Sequence, residues 1–133
     1  MKLLLYTDGG SRNNPGAAGI GGVAYSAEGK EVFKFKKFLG IATNNQAEYL
    51  ALIEGLKKAH ALGTEDLHCF LDSELVVRQL NGLYKIKNPE LKPLAAEILK
   101  LSNKFKNIRF SHVSREKNAV ADKLVNEAMD ESA

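Results

Sequence analysis

The chain has 133 residues, a length that suits one domain around one core. Apolar residues make up 44% and charged residues 26%, which excludes a disordered polyelectrolyte, and no apolar run nears the roughly 20 residues of a membrane span. The formal net charge is +3, and setting aside acids committed to a site leaves the remaining surface more basic still. Lysines cluster at Lys34, Lys36 and Lys37, at Lys57 and Lys58, at Lys85, Lys87 and Lys92, and at Lys100, Lys104 and Lys106, a pattern that suits a polyanionic partner. The opening "MKLLLYTD" is too short in its apolar part for a secretory signal, so a cytoplasmic location is expected. Cys69 is the lone cysteine; it excludes an internal disulfide and reads as a small core residue.

In chain order, residues 2–8 form an apolar strand ending in Asp8. A second strand covers 19–26 and a third 31–39, with a tight turn at Gly29 between them. Phe33 and Phe35 alternate with Lys34 and Lys36, so the third strand has one buried and one wet face. Thr43 followed by Gln46 has capping-box spacing, and it opens a helix that Gly63 stops near residue 62. A fourth strand, 66–72, follows that helix and can lie parallel to the first through a right-handed crossover. Ser73 caps a short helix running to Leu80; Pro93 moves the start of the next helix toward Leu91; strand five spans 107–114; Asn118 caps the last helix. The fold class is α/β, a mixed five-stranded sheet with helices packed on it, in one domain over 1–133.

The acids fall in telling places. Asp8 and Asp72 close two strands expected to be parallel neighbours, so both emerge at one end of the sheet. Glu48 shares a helix face with Leu52 and Ala59 and so points toward the sheet, while Asp122 sits near the start of the final helix. Four clustered carboxylates repel unless cations neutralise them. An all-oxygen site without His or Cys suits Mg²⁺ or Mn²⁺, and two such ions would clamp a phosphoryl displacement.

The stretches "YTDGGSRNNPGAAGIG", "TNNQAEYLAL", "LDSELVVRQL" and "REKNAVADKLV" resemble the four sequence blocks of type 1 ribonuclease H, in order, from about Leu3 to Met129. The resemblance implies sheet order 3-2-1-4-5 with strand 2 antiparallel and helices on both faces. It implies an endoribonuclease that hydrolyses the RNA strand of an RNA–DNA hybrid with two Mg²⁺ ions, Mn²⁺ substituting, and leaves 5′-phosphate and 3′-hydroxyl ends. It carries Asp8, Glu48, Asp72 and Asp122 over as metal ligands, with Gly9, Ser11, Asn14, Thr43, Asn44, Asn45 and Gln46 as nucleic-acid contacts. Departures from the family pattern are informative. Arg115 stands in a loop where many members carry His, and the resemblance implies a catalytic part for it: steadying the product phosphate or assisting its departure, rather than shuttling protons. Glu74 replaces a common Gln at a position that contacts RNA, and the 81–92 stretch is too short for a separate basic protrusion. His112 is expected in the core beside Ile108 and Phe110. A catalytically weak hybrid-binding domain, and a related nuclease acting on double-stranded RNA or RNA–DNA junctions, stand as rival readings. The expected assembly is a monomer.

Overall fold

The computed structural model describes residues 1–82 and 85–132. Leu83 and Tyr84, within the short 81–92 stretch, lie outside the described residues. Five strands form one sheet: β1 (Lys2–Arg12), β2 (Gly16–Ser26), β3 (Glu31–Ala42), β4 (Asp66–Leu71) and β5 (Asn107–His112). Their order is β3-β2-β1-β4-β5. β2 is antiparallel to both neighbours, whereas β1, β4 and β5 run parallel, as expected from the resemblance. The α-helices are α1 (Asn44–Ala61), α2 (Glu74–Leu80), α3 (Lys92–Ser102) and α4 (Ala119–Glu131), with a 3₁₀ turn over Arg115–Asn118 before the last.

The local signals held where side chains cap helices. Thr43 Oγ1 accepts from the Gln46 amide at 3.1 Å while Gln46 Oε1 accepts from the Thr43 amide at 2.9 Å, a complete capping box. Gly63 at φ +79° closes α1 by donating to the His60 carbonyl. Ser73 Oγ accepts from the Val76 amide to start α2. Helix α3 begins at Lys92 after Leu91, with proline in its first turn where no amide partner is needed.

Each strand differs from the sequence expectation at one boundary, β4 only by ending at Leu71. β1 runs on to Arg12, so Asp8 lies within it rather than at its end. The reason is that β1 and β2 continue as a two-stranded antiparallel ribbon to Arg12↔Ala17, while pairing with β4 stops at Tyr6↔Phe70. β2 and β3 are correspondingly longer, beginning at Gly16 and ending at Ala42. β5 ends at His112, which is exposed rather than in the core. It is the last residue of an edge strand, so alternation with Ile108 and Phe110 no longer carries it under a helix.

One sheet face is covered by α1 and α2, with α3 packed on α1. Leu3, Leu5, Leu67, Cys69 and Leu71 meet Tyr49, Leu52, Leu56, Ile98 and Leu101 there. Burial pushes the Cys69 thiol far up, which fits a packing residue. On the other face α4 lies over β1, β2 and β3, burying Ala121, Leu124, Val125, Ala128 and Met129. Gly21 makes that approach possible, because a Cβ there would sit 2.7 Å from the Ala121 carbonyl oxygen. α4 thus rests on the ribbon beside Asp8, and its first turn is brought to the same end of the sheet as Asp72.

Candidate metal and nucleic-acid site

Asp8 and Gly9 face opposite sides of β1, and the site depends on both. Gly9 faces α1 so closely that a Cβ would fall 2.2 Å from the Ala47 carbonyl oxygen. Only glycine lets α1 lie this near the strand, and the nearness lets Glu48 reach past it. Glu48 Oε1 accepts from the Gly9 amide at 3.5 Å, and Asp8 Oδ1 accepts from the same amide at 3.0 Å. Asp72 arrives from the residue after β4. Oxygens of Asp8, Glu48 and Asp72 lie within 4.8 Å of one another.

Asp122 lines the same open cavity of about 390 Å³ but stands outside that tight trio. Arg115, almost wholly exposed, reaches to 3.9 Å from Asp122 Oδ1 and also lines the cavity. The other lining residues include Gly9, Gly10, Ser11, Arg12, Asn44, Asn45 and Ser73.

The electrostatics are those of a site awaiting positive charge. Burial pushes the Asp8 carboxyl up to about 7, and the nearby charges of Asp72 and Asp122 add to it. Glu48 is raised well above its ordinary range, first by burial and then by its hydrogen bond to Asp8 and the charges of Asp8 and Asp72. Glu48 Oε2 is buried with no hydrogen-bond partner among the described residues. A carboxylate oxygen left bare in a cluster of acids is costly. A hard divalent cation repays that cost, since it takes oxygen ligands and cancels the mutual repulsion. The donor set therefore fits a hard divalent cation, and among the described residues it includes no soft ligand.

The expected nucleic-acid contacts separate into two groups. Ser11, Asn44 and Asn45 border the cavity; Asn44 Oδ1 accepts from the Ser11 amide at 2.7 Å, tying the start of α1 to β1. Asn14 Oδ1 accepts from the Asn44 amide at 3.0 Å and continues that brace. By contrast the Thr43 hydroxyl and Gln46 carboxamide oxygen are engaged in the capping box, and Gln46 Nε2 donates to Glu90 Oε2 at 3.3 Å. Glu74 points into an i,i+4 ion pair with Arg78 at 2.7 Å on the exposed side of α2. Lys36 is held by Glu127 and Glu131, and Lys58 sits 5.9 Å over the Phe35 ring, so those two lysines serve the surface of the fold.

Two residues were not read as part of the site in the sequence. Arg12 lines the cavity, with its guanidinium paired to Asp130 of α4 at 2.5 Å. Asn118, read as a helix cap, makes no side-chain cap bond. Its Nδ2 instead donates to the Thr7 carbonyl at 2.9 Å and to Asp72 Oδ2 at 3.1 Å. A hint lay in its place four residues before Asp122, but an Asn before a helix always reads first as a cap.

Comparison with known proteins follows the same lines. Residues 6–128 match the family model described as reverse transcriptase-like. The chain is 43% identical over its full length to the "Bifunctional protein Rv2228c" of Mycobacterium tuberculosis, and it spans 37% of that relative's length. The crystal structure of RNase H1 from the halophilic archaeon Halobacterium salinarum is 40% identical, with TM-score 0.96 over 98% of this chain and 99% of that one. LC11-RNase H1, solved in complex with an RNA/DNA hybrid, is 43% identical, with TM-score 0.93 over 98% of each chain.

Proposed function

The chain belongs to the ribonuclease H family, and from that membership we propose that it is a metal-dependent endonuclease hydrolysing the RNA strand of RNA–DNA hybrids. The products are 5′-phosphate and 3′-hydroxyl ends. The observation that carries this reading is the meeting of Asp8, Glu48 and Asp72 oxygens within 4.8 Å in an open cavity, with Asp122 on the same wall.

In this reading Asp8, Glu48, Asp72 and Asp122 hold the cation, Mg²⁺ with Mn²⁺ as substitute, and two ions serve the site when substrate is bound. A divalent cation supplies Lewis acidity toward the scissile phosphate and toward the attacking water. The chain's own residues do the rest. Asp8 and Asp72 fix the cleavage point at the end of the parallel strands. Gly9 lets α1 close on β1, and its backbone lines the cavity where a sugar of the RNA strand can approach. Ser11, Asn14, Asn44 and Asn45 form a hydrogen-bonding rim whose donors and acceptors suit 2′-hydroxyls and base edges. Thr43, at the start of α1, presents that helix's N-terminus to a phosphate of the DNA strand, and Gln46 beside it contacts the bases and sugars of the groove. Arg115, on the rim of the cavity, steadies the product phosphate as it leaves. Glu74 lowers the affinity for RNA relative to a neutral amide at its place.

Residues 1–133 act as one domain and as a monomer in the cytoplasm; the described helices include none long and apolar enough to cross a membrane. The test is a time course of cleavage on an end-labelled hybrid, on double-stranded RNA and on an RNA–DNA junction, each with Mg²⁺ and with Mn²⁺. Cleavage confined to the RNA strand of the hybrid, and lost in Asp8→Asn, is the expected result. Equal cutting of double-stranded RNA would broaden the substrate class, and a Mn²⁺-bound chain that cuts none of the three would refute the reading.

A further inference from the structure

Asn118 is 1% exposed, and its side-chain amide bonds both to β1, at Thr7, and to Asp72, the residue after β4. Its amide nitrogen donates to the carbonyl of Thr7, next to Asp8, and to Oδ2 of Asp72. It also immediately precedes α4, whose first turn carries Asp122. The three elements that bring Asp8, Asp72 and Asp122 to one end of the sheet thus meet at this residue.

The orientation of the amide is fixed by its neighbours. Turned over, Oδ1 would face a carbonyl and a carboxylate, two acceptors without a proton between them. In the orientation found, Oδ1 is buried with no hydrogen-bond partner among the described residues. Leaving one acceptor bare and forgoing the usual N-cap bond are both costs to the fold. They are accepted in favour of the bond to Asp72. The chemical choice matters too. A lysine here would neutralise Asp72, and an aspartate would repel it. A neutral amide orients one oxygen of the carboxylate and leaves its charge available to a cation.

We propose that Asn118 is a positioning residue for the acid cluster: by holding Asp72 and spacing β1, β4 and α4, it sets the cluster's affinity for a divalent cation. This rests on the reading of the acids as cation ligands given above.

The probe is Mn²⁺ alone, titrated calorimetrically into the metal-free full-length chain with no substrate present. Asn118→Ala should weaken Mn²⁺ binding at least fivefold. In an Asp72→Ala background the same change should add nothing further, because its effect passes through Asp72. An equal loss in both backgrounds, or unchanged Mn²⁺ binding with only a lowered melting temperature, would overturn the proposal. Should Asn118→Ala not fold, the wild-type chain still decides. The side-chain amide resonances of Asn118 should move on Asp72→Ala, and should move with Mg²⁺ at the same midpoint as the Gly9 backbone amide. Resonances indifferent to both would overturn it. Hybrid cleavage is read separately: non-additive Mn²⁺ binding without cleavage keeps this inference and removes the nuclease reading, whereas cleavage with additive binding effects does the reverse.

Discussion

The starts of α1 and α4 flank the same cavity and are built on opposite terms. At α1 the capping box is complete: Thr43 and Gln46 bond each other's backbone, and Asn14 takes the Asn44 amide. At α4 the cap residue turns away from its own helix and gives its donor to Thr7 and Asp72. Glu48 leaves α1 one turn past this capped end. Asp122 leaves α4 from an end whose stability has been diverted to the site. On the proposed reading, the start of α1 is scaffold and the start of α4 belongs to the machinery.

The sharpest test of that division is Asp8→Asn, which should lower hybrid cleavage by roughly 1,000-fold, the scale seen when a central electrostatic group is removed. The folded chain should survive, as circular dichroism and thermal melting would show. A loss of folding instead would make the acids structural and erase the distinction. Next in size is Gly9→Ala. With an oxygen of α1 only 2.2 Å from the added Cβ, the helix must back away, costing about 1–3 kcal/mol or more. It should also draw Glu48 off the cluster, so chemical denaturation and Mn²⁺ binding should fall together.

A third test uses pH. Asp8 is raised from 3.8 to about 7 in the folded chain, so the native state holds that proton more tightly than the unfolded state does. This contribution to stability is fully present below about pH 4 and is lost as pH rises through 7. The metal-free wild type should therefore lose several degrees of melting temperature between pH 5 and 8 relative to Asp8→Asn. Millimolar Mg²⁺ should restore the loss, and parallel profiles for the two proteins would contradict the assigned repulsion.

The smallest effect is expected at the scaffold end. Thr43→Ala should cost about 1 kcal/mol of stability by opening the capping box. Its effect on cleavage should appear as a higher KM with little change in kcat. A large drop in kcat would move Thr43 from scaffold to machinery and break the comparison between the two helix starts.

Capping signals were legible in the sequence because they are local: Thr43 with Gln46, Ser73, Gly63 and Gly29 each act within a few residues. The acids were legible as well, since Asp8 interrupts an apolar strand and Glu48 falls on the buried stripe of α1. His112 was misplaced because alternation gives a side of the sheet but not whether a helix covers that side at its edge. Asn118 holds the cap position read from the chain, but its side chain's partners lie 111 and 46 residues away and were not legible there.

Sequence alone determined the order of elements, the helix ends and the identity of the converging acids, since these follow from periodicity, capping chemistry and the cost of burying charge. Tertiary structure alone decided how far β1 extends past β4, how near α1 may come at Gly9, and where the Asn118 amide points. Those are matters of a few ångströms between segments distant in the chain. They are set by steric fit and hydrogen-bond geometry across the packed sheet, which no local pattern encodes.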